Sequence, residues 1–133
     1  MISVSIPNLP KFQKALKKTP ELAAKYFKDA FEQSLLQIER ETKPLVPVDT
    51  GRLRASFGKT GTLHSIWKIQ KTSATIGSDV EYAVAVHEGN QRHRLGQRKF
   101  LEVGVQKATS KIKQFFLDAY QKVFNDIARD TNY

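Results

Sequence analysis

Apolar positions in this chain change their spacing twice. Between residues 23 and 38, Ala23, Phe27, Ala30, Phe31, Ser34 and Ile38 fall three or four positions apart, the repeat of one helical face turned toward a core. Leu22, Tyr26 and Leu36 widen that face. Its start is marked by Thr19 as N-cap, Pro20 at the first helical position, where no N–H is needed, and Glu21 at the positive end of the dipole. Pro44 and Pro47 stop it near Thr42. Upstream, Asn8–Lys18 reads as a shorter helix, with Asn8 able to cap it and Phe12, Ala15 and Leu16 on one side.

The middle of the chain alternates instead. Leu63–Gln70 places Leu63, Trp67 and Ile69 on one side and His64, Ile66 and Lys68 on the other, and Ala74–Ser78 can return antiparallel as a hairpin. Glu81–Gly89 fits either repeat: Tyr82, Val84 and Val86 alternate, yet Tyr82 and Val86 are also one helical turn apart. We read it as a short helix. Asn90–Lys99 is a polar, basic loop. From Leu101 onward, Val105, Ala108, Ile112, Phe115, Phe116, Ala119, Val123 and Ile127 trace an apolar stripe, opposite a polar one running from Lys107 to Arg129. The expected fold is α+β, one domain over residues 1–133: two N-terminal helices, a small antiparallel sheet with a hairpin, and a long C-terminal helix packed on the sheet.

Charge adds a partner class. Twenty-two Lys and Arg against thirteen Asp and Glu give +9, and the pI is about 9.9. More than half of the excess lies in residues 46–99, with nine basic and four acidic side chains, so polyanionic neighbours are favoured there. Arg52, Arg54, Lys59, Lys68, Lys71, Arg92, Arg94, Arg98 and Lys99 can form one basic surface if the hairpin and loops converge. No nucleic-acid-binding signature accompanies them, so any such contact would be to phosphates and not to bases. A solvated charged face is the plainer reading. Cysteine is absent, which removes disulfides, thiolate metal sites and cysteine nucleophiles and fits a reducing cytoplasm. No apolar run approaches the roughly 20 residues of a membrane span, and "MISVSIPNLP" lacks the pattern of a secretion signal.

Catalytic chemistry finds little support. His87, Glu88 and His93 lie close in sequence, but the histidines are six apart across a glycine, whereas a helical metal pair needs about four. Asp49 and Asp79 each read first as turn or cap residues. Asp49-Thr50-Gly51 matches the short aspartic-protease signature, yet the second copy that chemistry requires is missing. Glycine spacing excludes phosphate-loop and dinucleotide motifs. The expectation is a protein that is not an enzyme and takes no cofactor or metal.

Three blocks carry more information: "VPVDTGRLRAS", "IGSDVEYAVAVHEG" and "RKFLEVGVQKA". In this order they resemble the neck and tail-completion proteins of long-tailed bacteriophages, often described as head–tail joining or minor tail components. The matching positions are Pro47, Val48, Asp49, Thr50, Gly51, Leu53, Arg54 and Ser56, then Tyr82, Ala83, Val86 and Gly89, then Arg98, Phe100 and Leu101. The chain departs from the family pattern at "HEGN" and at Lys99, both beside the basic loop. The resemblance implies a virion protein of the head–tail joint, assembled in the host cytoplasm, which contacts other neck and tail proteins and self-associates into a ring around the DNA passage. Phosphate-backbone contact with viral DNA would go with such a ring, through Lys59, Lys68, Lys71, Arg92, Arg94 and Lys99. The alternatives are a tail terminator of the same joint and a cytoplasmic DNA-binding protein without sequence specificity. Interaction or turn-defining roles are expected for Asp49, Thr50, Gly51, Arg52, Arg54, Tyr82, His87, Gly89, Arg98 and Phe100. In this reading Asp49 or Thr50 caps a short helix and Gly51 lets backbone approach closely. One of Arg52 and Arg54 pairs within the subunit, while the other reaches a neighbour. A local Asp49–arginine pair would do the same work inside one subunit.

Overall fold

A computed structural model describes residues 2–6, 20–47, 51–70, 73–89 and 96–131, with side chains at all of these except 20, 22 and 126–131. Strand β1 spans Ile2–Ile6, helix α1 Pro20–Thr42 with a single 3-10 turn at Lys43–Leu45, and helix α2 Arg52–Ser56. Strands β2 (Ser65–Ile69) and β3 (Ala74–Ser78) follow, then helices α3 (Ala83–Glu88) and α4 (Phe100–Thr131). The architecture is α+β, with an antiparallel sheet in the order β1-β3-β2. Val4 and Trp67 both face Ile76 of the central strand, so Ile2, Val4, Ile6, Ala74, Ile76, Trp67 and Ile69 share the face packed on the core.

The hairpin, the short helix at residues 83–88 and the long C-terminal helix form where periodicity placed them. The first strand was not anticipated: five residues of Ile-Ser-Val-Ser-Ile alternate correctly, but so short a run stabilises itself only through a partner far along the chain. The helix read at Asn8–Lys18 lies outside the described residues, as does the N-cap assigned to Thr19.

The long helix differs from expectation in what it covers. Its main partner is α1, not the sheet, and α1 meets β2 and β3 on its other side. The cause is the width of the α1 face. Ala23, Phe27, Ala30, Phe31, Ser34, Leu35, Gln37 and Ile38 are all buried, which is more than one apolar stripe and serves two neighbours. Contacts run antiparallel: Phe27 meets Tyr120 edge-on at 5.4 Å between ring centroids, and Phe31 meets Phe116 at 5.0 Å. Near the far end, a Cβ at Gly104 would lie 1.9 Å from Thr42 Oγ1 and 3.0 Å from its Cβ, so glycine lets the two backbones close up. A third aromatic pair, Phe57 with Phe100 at 5.8 Å and 87°, joins the end of α2 to the start of α4.

Candidate functional site

The block from Gly51 to Ser56 is a set of latches. Gly51 is the N-cap of α2 in the left-handed conformation (φ 79°) and, being glycine, has no side chain with which to cap the helix. Sequence reasoning gave the cap to Asp49 or Thr50, both outside the described residues, and gave Gly51 a close backbone approach. A Cβ at Gly51 would in fact meet nothing within 4 Å among the described residues, so glycine is required for its backbone angle, not for space. Gly51→Ala is therefore expected to cost about 1 kcal/mol from that angle alone, as a lowered urea midpoint with an unchanged far-UV spectrum. Leu53 is buried, and Ser56 Oγ lies 2.6 Å from both Leu53 O and Ser78 Oγ, which ties the helix to the end of β3.

Both arginines are engaged inside the subunit. Arg54 Nη2 donates to Val46 O (2.8 Å) and Pro44 O (3.3 Å), carbonyls left over by the proline-terminated end of α1. Removing that donor by Arg54→Ala should lower unfolding stability by about 2 kcal/mol, and Arg54→Lys should recover only part, because the ammonium sits on a shorter stem than the Nη2 that reaches both carbonyls. Chemical denaturation of the two variants gives the comparison.

Arg52 grips Glu81 with two bonds, Nη1 to Oε1 at 2.6 Å and Nη2 to Oε2 at 3.1 Å, and stands over the Tyr82 ring at 5.7 Å. Its Nη2 also faces His64 Nε2 at 3.3 Å, while His64 Nδ1 lies 2.8 Å from Asp79 Oδ1. A guanidinium only donates and a carboxylate only accepts. The His64 tautomer that satisfies both contacts is the one with its hydrogen on Nδ1. Within the subunit these contacts form an exposed network, Glu81–Arg52–His64–Asp79, between α2, the hairpin and the turn before α3. The sequence offered no signal for Glu81 or His64 as its members, since the pairing spans 29 and 12 residues.

A second cluster lies at the end of α3. His87 is buried, with its ring edge-on to Phe100 at 4.8 Å and its Nδ1 2.9 Å from Glu88 Oε1; its Nε2 is buried without a hydrogen-bond partner among the described residues. Lys99, which has φ 57°, pairs with Glu88 through its ammonium and donates its backbone N–H to His87 O at 2.8 Å. Gly89 closes α3 through its N–H to Ala85 O at 2.8 Å, Arg98 is exposed, and Phe100 is fully buried. His87 and Glu88 also line an open groove of about 400 Å³ together with Ile2, Ser3, Val4, Leu101, Glu102, Val105 and Gln106.

These ion pairs fix a pH dependence. The Arg52 hydrogen bond holds the Glu81 carboxyl below its ordinary value of 4.5, and Lys99, then His87, does the same for Glu88. A carboxyl depressed in the folded state contributes fully above its unfolded value and loses that contribution as pH falls through the folded one. The denaturation midpoint should thus be insensitive to these two groups down to about pH 5 and fall below it. Glu81→Gln and Glu88→Gln should each make that acid limb shallower in a urea series from pH 7 to pH 3.

Of the residues considered for polyanion contact, Lys59 pairs with Glu32 and Lys99 with Glu88, while Lys68 is exposed on the outer face of the sheet. Lys71, Arg92 and Arg94 lie outside the described residues. Among the described residues, no group of three or more His, Asp or Glu could hold a metal ion. Asp79 is the partner of His64, as given above, and the intended partner of Asp79 in a carboxylate pair, Asp49, is not described.

The site is therefore made of turns, latches and ion pairs drawn from the three sequence blocks, and a family model bears on the same stretch. The model described as "Bacteriophage HK97-gp10, putative tail-component" matches residues 10–112. The chain belongs to the HK97 gp10-like family. Arg52, Arg54, Ser56, Tyr82, His87 and Phe100 all fall inside the matched HK97 gp10-like region, which thus holds both clusters and the whole hairpin. Membership of a family of phage tail components makes a structural role in the virion, in contact with other tail or neck proteins, the shared expectation for its members. No curated protein and no solved structure matches the chain. Among the described residues, no helix is long and apolar enough to cross a membrane.

Proposed function

We propose that this HK97 gp10-like chain is a structural part of the head–tail joint, a neck or tail-completion protein that self-associates into a ring around the DNA passage and catalyses nothing. The observation that carries the reading is the family match over residues 10–112. The arrangement of the polar side chains supports it. Arg52, Arg54, Lys59, Lys99, Glu81 and Glu88 are spent on holding turns and helix ends together, the use expected of a shaped building block. A net charge of +9 suits a lumen through which DNA passes or the acidic surface of an adjoining ring. Small subunits of mixed surface build such rings by heterologous contacts, which close at one rotation.

Deletion of the gene from its phage, followed by electron microscopy, tests the reading. Filled heads beside unattached tails of normal length are the expected result. Tails of uncontrolled length would assign the terminator role instead, and intact infectious particles would overturn both.

A further inference from the structure

The sheet has two borders, and the described residues leave both without a strand. β1 and β2 each pair with β3 alone. Soluble proteins protect such edges with charge, proline, bulges or a covering segment. β1, Ile-Ser-Val-Ser-Ile, carries neither charge nor proline.

The groove described above runs along that edge. Ile2, Ser3 and Val4 are consecutive, so their side chains alternate between the two sheet faces, yet all three line it. A cleft lined by both faces of a strand follows its edge. The opposite wall is the first two turns of α4, where Leu101 and Val105 supply apolar surface and Glu102 an exposed acid with no ion pair among the described residues. An unpaired strand facing a helix across an open groove is the geometry that accepts an added strand.

His87 gives an independent sign of an occupant. It lines the groove and is 6 % exposed. Its Nδ1 faces Glu88, and its Nε2 is buried with no hydrogen-bond partner among the described residues. Burial of such a group is costly unless a partner arrives.

We infer that the groove between β1 and α4 docks the β2 edge of a second copy of this chain, so that the three-stranded sheets join edge to edge around the assembly. β2 matches the site in three ways. It has the same five-residue length as β1, and its apolar Trp67 and Ile69 are only half-buried in their own subunit and would face the Leu101–Val105 wall. The third match is charge: β2 carries Lys68 and no acid, and the groove is bordered by Glu102, which has no ion pair among the described residues. Joining β1 to β2 is heterologous, the kind of contact that closes into a ring. The inference rests on the ring reading and names the surface that would build it.

The chain contains no cysteine, so an engineered pair reports cleanly. Ser3 and Lys68 both point away from the core, one on each border strand. Ser3→Cys and Lys68→Cys chains are mixed under mild oxidation, and assembly is followed in parallel by light scattering and electron microscopy. Docking predicts mixed dimers forming roughly tenfold faster than either homodimer, because pairing raises the effective concentration of the two thiols. The double variant should give a disulfide ladder. Glu102→Lys, an exposed change whose fold is checked by circular dichroism, should reduce the assembled fraction severalfold. Rings that form without the mixed disulfide would overturn the docking surface and leave the ring reading intact. A chain that stays monomeric at every concentration would overturn both. If the Ser3→Cys chain captured a different tail protein in assembled particles, in place of a second copy, the docking surface would be overturned as well.

Discussion

Replacing Phe31 with alanine should remove about 3–5 kcal/mol of stability, the largest loss expected from any single truncation in this chain. Phe31 is fully buried and sits where α1 meets α4, edge-on to Phe116. Truncation removes the burial of a phenyl ring, leaves a cavity between two long helices, and forfeits an edge-to-face contact worth about 1 kcal/mol beyond area. The site collapses poorly, because its neighbours along α1, Phe27 and Leu35, are themselves fully buried and committed to other contacts. Domains of this kind hold about 5–15 kcal/mol in total, so the variant should unfold at much lower urea and temperature. Phe31→Leu, which keeps most of the volume, should lose about half as much. A Phe31→Ala midpoint within experimental error of the parent would mean that α4 does not pack on α1 as described.

How far the amino-acid order disclosed this arrangement depends on the range of the interaction. Helices α1 and α4 announce themselves, because each satisfies its own backbone and shows a buried stripe at helical spacing. The hairpin does so as well, since its strands are neighbours in the chain. β1 does not: its strand partner among the described residues is β3, about seventy residues away, and five alternating residues beside prolines are too few to identify a strand. The same holds for side chains. Arg54 could be seen to sit near a proline-terminated helix end, but the carbonyls it caps follow from how the chain folds back. Which of Arg52 and Arg54 pairs inside the subunit stayed open, because Arg52's partner Glu81 lies 29 residues on. His87 could be placed on a short helix, without a partner. Its burial against Phe100 and its place in the groove depend on β1 and α4 meeting there. The family, by contrast, was visible early, because its blocks are the turns themselves, and turn geometry is encoded locally.

The width of the α1 face has a consequence at its other end. Gly104→Leu should destabilise the chain by about 3 kcal/mol, by overpacking and not by any loss of contact. A Cβ at position 104 would stand 1.9 Å from Thr42 Oγ1, 3.0 Å from its Cβ and 3.1 Å from its Cα. Rotation of the threonine hydroxyl relieves the first of these distances but not the other two, so a longer side chain must push the helices apart where Phe57, Phe100 and Leu101 are packed without space. Alanine at 104 is the finer test. Helix propensity favours it over glycine by about 1 kcal/mol, while its contact with Thr42 opposes it. Thr42 itself holds a buried hydroxyl with no hydrogen-bond partner among the described residues, so Thr42→Ala should be close to neutral. In a double-mutant cycle, Thr42→Ala removes Oγ1 but leaves Cβ and Cα in place, so Gly104→Ala should gain back in that background part of what it loses in the parent, with a coupling of about 1 kcal/mol. Additive effects would show that the two helices do not approach at this pair. Such a coupling would locate the closest contact of the helical layer one turn from the groove, so that the same substitutions, read by the Ser3–Lys68 disulfide trap, report whether the α4 wall must stay fixed for copies to join.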